Sequence, residues 1–175
     1  MSPAATALIA ELDAELPITR RVLERVPTDR LAWQPHARSM TLGQLAEHLA
    51  RIPGNVAKLA EVDGLDLATR PITYPTGEST GSIVAAFDQS AVAIKAALAT
   101  IDDAKANAPW RMTFGEREVF AMPRIRAMRV MCLNHMIHHR GELVVYLRLL
   151  DVPVPVVYGR SADENPFAQP AGVGV

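Results

Sequence analysis

Apolar residues recur along this chain with the spacing of helix faces, in long stretches separated by polar or proline-containing segments. The first stretch begins at Ser2, whose hydroxyl can cap a helix that carries Pro3 at its first position. Pro17 lies inside this stretch and predicts a kink or a break. The second stretch begins at Thr41, with Gln44 three residues later, which is the signature of a capping box. The pattern therefore predicts two helices in the first third of the chain.

Two further helices are predicted beyond these. One starts at Thr80 or Ser82 and runs to about Thr100. The other covers the segment from Pro123 to Leu150, where small and apolar residues recur every three or four positions. The stripe of this last helix is formed by Ile125, Met128, Cys132, Leu143, Tyr146 and Leu150.

The remaining segments lack a helical pattern. Residues 64–81 form a long polar connection, and residues 110–122 are enriched in β-forming residues around a Gly-Glu pair, which predicts a short hairpin. Residues 151–175 are rich in proline and glycine and are expected to lie over the surface. The sequence thus predicts an all-α four-helix bundle with one long loop and a short β excursion, in a single domain of residues 1–175.

Histidines stand on the last helix where its stripe calls for apolar residues. His135 and His139 are four residues apart, so both rings project from one helix face and can reach one metal ion. Burying imidazoles is costly unless each ring is hydrogen-bonded or bound to something. His48 lies mid-helix beside the stripe of the second helix and is the best third ligand, whereas His36 lies in a proline-flanked connection. The alternative is that each histidine is an ordinary core or surface residue.

Other polar residues near this pair allow more than one interpretation. His138 is three residues from His135 and could replace His139 as its partner, but it leaves the centre of the stripe, which favours a supporting or surface position. Cys132 could offer a thiolate, but a small buried apolar role is more common for a free cysteine. Asn134 and Glu142 could orient the second nitrogen of a ligand, although the sequence favours ordinary surface positions for both.

Composition narrows the function classes. Hydrophobic residues make up 49% of the chain and the formal net charge is -1, with no basic run that would follow a phosphate backbone, so nucleic-acid binding is not expected. The chain has a single cysteine, and its sequence shows no signal-peptide pattern and no apolar stretch that could span a bilayer. These features predict a cytoplasmic protein that does not bind membranes. The residue after His135 is Met136, so the glutamate base of HExxH zinc proteases is missing.

Two motifs resemble one known family. The run LNHMIHHRGEL at residues 133–143 and the run MTLGQLAEHL at residues 40–49 closely resemble the two histidine motifs of the DinB-like (YfiT-like) metalloenzyme superfamily. The likeness extends to residues 153–164 and covers nearly the whole chain in the right order.

This resemblance implies an up-down-down-up four-helix bundle, often a homodimer, with nickel or zinc on three histidines. The matching positions in this chain are His48, His135 and His139. Some relatives transfer a low-molecular-weight thiol to a small electrophile, and that is the reaction expected here. Metal-assisted hydrolysis of a small-molecule substrate, and a stress-response or binding module with structural or no metal, are the alternatives.

Overall fold

The computed structural model describes residues 1–69 and 73–167, and the chain in these ranges is mainly helical with one small sheet. The helices are α1 (Pro3–Leu23), α2 (Leu42–Ala57), α3 (Thr80–Ala99), α4 (Asp103–Asn107), α5 (Arg124–Arg129) and α6 (His135–Leu149). The strands are β1 (Gly64–Asp66), β2 (Pro109–Phe114) and β3 (Arg117–Pro123). The short helix α4 has no counterpart among the predicted elements.

The predicted helix starts are confirmed by their capping contacts. The Ser2 hydroxyl accepts a hydrogen bond from the Ala5 amide at 3.1 Å. At the start of α2, the Thr41 hydroxyl and the Gln44 side chain each accept a hydrogen bond from the other's amide, at 3.2 and 2.9 Å. Helix α1 continues through Pro17 to Leu23, so the predicted break is wrong there.

The predicted fourth helix consists of three consecutive pieces. A π-helical turn over residues 130–134 joins α5 to α6. A π turn holds one residue more than an α turn, so the buried face beyond it moves by about one position. The buried residues of α6 are Met136, Arg140, Leu143 and Leu147. His135 and His139 are therefore partly buried beside these residues and not fully buried among them.

The small sheet combines the predicted hairpin with a strand that was not expected. Strands β2 and β3 are antiparallel, and Gly115, with φ of 60°, lies in the turn between them. Strand β1 pairs with β2 in parallel, with Gly64 opposite Arg111. The long polar connection predicted for residues 64–81 therefore includes a short strand that was not expected, whose partner lies far along the chain. Residues 70–72 of that connection lie outside the described residues.

One core lies between the long helices. Helix α2 packs against α3 and α6, and α1 packs against α3, α5 and α6. Within the described residues, α3 is the one helix long and apolar enough to cross a membrane by length and composition alone. Its residues Ile83, Phe87, Ile94 and Leu98 are buried in this core.

Hydrogen bonds and ion pairs fasten the described part of the segment after α6 to the rest of the chain. Asp163 accepts a hydrogen bond from the Val154 amide at 2.8 Å and forms an ion pair with Arg148 at 2.5 Å. Glu164 pairs with Arg21 of α1 at 2.6 Å. Residues 168–175 of the predicted tail lie outside the described residues.

Candidate metal centre

The structure brings the three predicted histidines together at one point between α2 and α6. His48 lies in the middle of α2, His135 is the first residue of α6, and His139 follows one turn later. The Nε2 atoms of His48 and His135 are 3.3 Å apart, and those of His135 and His139 are 2.8 Å apart. A ring nitrogen of each histidine lies within 4.8 Å of those of the other two. This group could hold a metal ion.

The spacing and chemistry of these nitrogens fit a small divalent cation. A Zn–N bond of about 2.0–2.1 Å places tetrahedral ligand nitrogens roughly 3.3 Å from each other. Imidazole is a ligand suited to both zinc and nickel. Three ring nitrogens aimed at one point cannot all be satisfied by one another, because each Nε2 is either a donor or an acceptor. A cation accepts all three lone pairs at once.

Glu142 orients the ring of His139. Its Oε2 atom lies 2.6 Å from His139 Nδ1, the nitrogen that faces away from the other histidines. The His139 side chain is only 12% exposed, so this contact fixes its orientation in a largely buried position. A carboxylate on the second nitrogen of a ligand is a recurring feature of metal sites, because it sets the tautomer and makes the ring more basic. Glu142 is exposed, as the favoured surface interpretation predicted, and it also makes the contact with a ligand's second nitrogen that the sequence left open.

Replacing Glu142 with glutamine is expected to weaken metal binding by roughly 10- to 100-fold, because the amide removes the negative charge that polarises His139. Competition titration against a chelator of known affinity measures this change. The control is His138→Gln, because His138 contacts the same carboxylate at 3.3 Å from a side chain that is 63% exposed. Equal affinities for the Glu142 variant and the unaltered protein would contradict the orienting role.

Burial keeps two of these histidines neutral. The pKa of His48 is lowered to about 4, chiefly by burial and then by the charges of His139 and His135. The pKa of His135 is also lowered, again chiefly by burial, and the Met131 carbonyl acts in the opposite direction. Metal ligands must be deprotonated, so these rings are ready to bind a cation at neutral pH.

The metal-free protein is expected to lose stability as the pH falls. The unfolded chain takes up a proton on His48 near pH 6.5, whereas the folded chain resists it until about pH 4. Acid therefore favours the unfolded state across this window, and the stability contributed by neutral His48 is complete only above it. Urea unfolding of the chelator-treated protein at pH 7.5, 6.0 and 5.0 measures the effect. The variant His48→Gln should show a shallower decline, and a decline as steep as that of the unaltered protein would contradict this assignment.

An apolar cleft leads to the histidines. Its volume is about 330 Å³, which lies at the lower end of the range for small-molecule pockets. His48 and His135 lie at its wall, so a ligand in the cleft can approach the point where the ring nitrogens meet. The other lining residues are Ile52, Asn55, Val56, Lys58, Leu59, Leu65 and Met131.

The other candidates lie outside the group of ring nitrogens. Cys132 is fully buried, and burial raises the pKa of its thiol to about 12, so it behaves as a small apolar residue. His138 is at the surface, as one of its two interpretations predicted. Asn134 accepts a hydrogen bond from Arg129 at 3.1 Å. His36 accepts one from the Arg38 amide at 3.1 Å in an exposed connection.

Tyr74 is a neighbour of the site that the sequence did not indicate. Its ring meets the edge of His48 with 5.4 Å between centroids and 76° between planes. The segment that carries Tyr74 packs tightly against α2 and α3 at Gly77. A Cβ added to Gly77 would lie 2.4 Å from Ile83 Cγ1 and 2.9 Å from a Glu47 oxygen. Tyr74 has no periodic neighbours in sequence, so only the fold reveals its position.

Comparison with known proteins now gives the family. The chain matches the DinB superfamily over residues 11–143, and it belongs to that superfamily. No curated protein matches the chain.

Three crystal structures share its fold. One is a DinB-like protein from Bacillus cereus, with a TM-score of 0.68 and 22% identity over 86% of this chain and 95% of that one. Another is a DinB-like protein from Bacillus subtilis, with a TM-score of 0.65 and 16% identity over 88% of this chain and 99% of that one. A DinB-family member from Exiguobacterium sibiricum has a TM-score of 0.62 and 17% identity over 89% and 97%.

Proposed function

We propose that this protein is a metal-dependent transferase that moves a low-molecular-weight thiol onto a small electrophile. His48, His135 and His139 would hold one divalent ion, nickel or zinc. The observation that carries the proposal is the meeting of three ring nitrogens, two of them 2.8 Å and two 3.3 Å apart, at the wall of an apolar cleft. Three protein ligands leave at least one coordination position for a reactant, as in catalytic rather than structural sites.

The chain's own residues orient the histidine ligands and exclude water from the cleft. Glu142 holds His139 from behind, and the π turn places His135 at the start of α6, facing α2. Ile52, Val56 and the other apolar side chains of the cleft keep water away from the reacting atoms. When bound, a divalent ion supplies Lewis acidity that lowers the pKa of a coordinated thiol, so that thiolate is available at neutral pH.

Within the described chain, the residues around the histidines favour thiol transfer over hydrolysis, because they offer no general base for water. Among the described residues, the lining of the cleft contains no carboxylate that could take a proton from water. Glu142 contacts His139, but it is engaged on the nitrogen that faces away from the other two rings. A thiolate nucleophile needs no such base once its proton has left. Metal-assisted hydrolysis therefore stands as the second candidate, and a binding module with structural or no metal as the third.

A thiol screen tests the proposal. The metal-loaded protein is mixed with glutathione, bacillithiol or mycothiol and an electrophile such as 1-chloro-2,4-dinitrobenzene, with and without chelator. The expected result is thiol consumption that depends on one thiol, stops with chelator and is absent from His135→Ala. Ester and amide substrates run in parallel detect hydrolysis. Absence of turnover and of binding with all three thiols would contradict the proposal.

We further propose that the chain is one domain, an up-down-down-up four-helix bundle of α1, α2, α3 and the joined α5 and α6. We propose that this domain acts as a homodimer in the cytoplasm on a small-molecule substrate. It is expected to bind neither nucleic acid nor membrane. The packing of each long helix against two others supports the bundle. The exposed small residues of α3 support self-association, with Val92 68% exposed among alanines. Light scattering at several concentrations tests the dimer, and a constant monomer mass would contradict it.

A further inference from the structure

The apolar cleft beside the histidines carries the positive charge of Lys58 at its rim. Apolar walls next to a cation suit a ligand that has both an apolar body and a negative charge. We propose that the cleft binds a small organic anion, with its apolar body along the walls, its carboxylate at Lys58 and its other end at His48 and His135. This inference rests on the proposed function, because it describes the electrophile that the site would take. Such a substrate carries its anionic group remote from the carbon that reacts.

The walls of the cleft come from four separate parts of the fold. Ile52 and Val56 belong to α2, Leu59 to the 3-10 turn after it, Leu65 to β1 and Met131 to the π turn. Ile52, Val56 and Leu59 are also packed into the core, so the walls they form are held in place. Apolar area removed from water contributes about 25 cal/mol per Å². A ligand must therefore present hydrocarbon or an aromatic ring to this surface.

Lys58 is the cation available at the rim. It is exposed and follows the last residue of α2, and within the described residues no carboxylate lies at ion-pair distance from it. The two acids next in sequence have other partners: Glu61 lies 3.9 Å from Lys105, and Asp63 pairs with Arg124. The alternative role for Lys58 is purely structural: its charge would offset the negative end of the α2 helix dipole. That role predicts an effect on stability, whereas anion binding predicts an effect on ligand affinity.

Asn55 adds a second polar group beside this cation. It lies one helical turn before Lys58 and lines the same cleft, so its amide can donate a hydrogen bond to a carboxylate oxygen. His48 lies on α2 ten residues before Lys58, which is almost three helical turns, so the histidines and Lys58 line different ends of the cleft. A carboxylate held by Lys58 and Asn55 therefore directs the opposite end of the ligand towards the ring nitrogens.

The test uses straight-chain carboxylates and matched primary alcohols. Butanoate, hexanoate and octanoate are titrated into the full chain by calorimetry, with hexanol and octanol as uncharged controls, in chelator-treated and in zinc-loaded protein. Affinity should rise about threefold for each added methylene until the cleft is filled. Nitrogen-15 NMR should place the largest amide shifts at Val56, Leu65 and Met131.

Lys58→Met is the decisive variant, because it keeps the length of the side chain and removes its charge. It should weaken octanoate binding by about three- to tenfold and leave octanol unchanged. Lys58→Arg should retain octanoate affinity. The matched control is Lys105→Met, which removes a nearby cation outside the cleft lining and should have no effect.

The outcomes separate this inference from the proposed function. Octanoate affinity that depends on Lys58 in the chelator-treated protein supports the inference even if zinc never binds. Octanoate binding that requires zinc and ignores Lys58→Met would overturn it, because the carboxylate would then lie at the histidines. Equal affinities for octanoate and octanol, or no binding of either by a protein that does bind zinc, would overturn it as well.

Discussion

Replacing Arg140 with alanine is expected to destabilise the protein by about 3–5 kcal/mol, because it breaks a buried ion pair from one side. Arg140 is 1% exposed and lies 2.7 Å from a carboxylate oxygen of Glu15. Its guanidinium also donates hydrogen bonds to Thr19 Oγ1 at 3.2 Å and to the Tyr158 hydroxyl at 2.5 Å. The Tyr158 ring stacks on it at 5.0 Å. One side chain of α6 thus fastens α1 and the C-terminal segment.

The loss of stability arises mainly because the alanine variant leaves the Glu15 carboxylate without its cationic partner. The Glu15 side chain is only 16% exposed, so its carboxylate would remain largely buried without its partner. Urea unfolding measures the change, and the variant Arg140→Met/Glu15→Gln, which removes both charges, should recover much of the loss. The matched control is Arg129→Ala, an exposed arginine that pairs with Glu11 at 2.9 Å and should cost less than about 1 kcal/mol. A similar cost for both single variants would contradict this account.

Arg140 also connects stability to the metal centre, because it directly follows His139 in α6. Loss of its contacts would loosen α6 against α1 and misplace the ring that Glu142 orients. We therefore expect Arg140→Ala to weaken metal binding at temperatures where the variant is still folded, although Arg140 touches none of the three ring nitrogens.

Replacing Arg124 with alanine is the second change with a large expected effect, about 3 kcal/mol. Arg124 is 3% exposed and donates to the carbonyl oxygens of Leu59 and Ala60 at 3.2 and 3.3 Å, and to that of Val62. It also pairs with Asp63. These carbonyls follow the end of α2, where helices leave oxygens without partners. Without the guanidinium, the carbonyl of the buried Ala60 would lose this donor, and the Leu59 carbonyl would keep only the Val62 amide at 3.4 Å.

This arginine also holds the wall of the cleft, since Leu59 and Leu65 flank the segment that it fastens. Hydrogen exchange should show loss of protection around residues 59–66 in Arg124→Ala, together with a fall in urea-unfolding stability. Arg126→Ala is the control, because Arg126 is exposed two residues further along the same helix. Unchanged protection at Leu65 in the Arg124 variant would contradict the role in the cleft.

Local sequence signals predict the long helices and the hairpin well. The capping residues Ser2, Thr41 and Gln44 act within three or four positions, so their contacts can be read from the chain itself. Of the kink or break predicted at Pro17, the break does not occur, because packing of a long helix outweighs one missing hydrogen bond. Strand β1 was missed because its pairing with β2 joins residues far apart in sequence, and three residues carry too short a pattern to recognise.

The candidate site was predicted in part. The spacing of His135 and His139 and the mid-helix position of His48 were sufficient to bring these three residues together as a hypothesis. The π turn has no sequence signature, so the shift that leaves both histidines partly buried beside the core residues of α6 could not be foreseen. The contact of Glu142 with His139 was one of the possibilities that the sequence left open. Tyr74 reaches the site through side-chain geometry alone, and the cleft depends on β1.

Metal content tests the three-histidine site most directly. It is measured in the untagged protein, purified and then exposed to zinc or nickel, beside His135→Ala/His139→Ala. We expect about one ion per chain in the unaltered protein and none in the variant, with the variant still folded by circular dichroism. Absence of stoichiometric metal in the unaltered protein, or equal metal in both, would contradict a metal site and reduce the three histidines to packing residues.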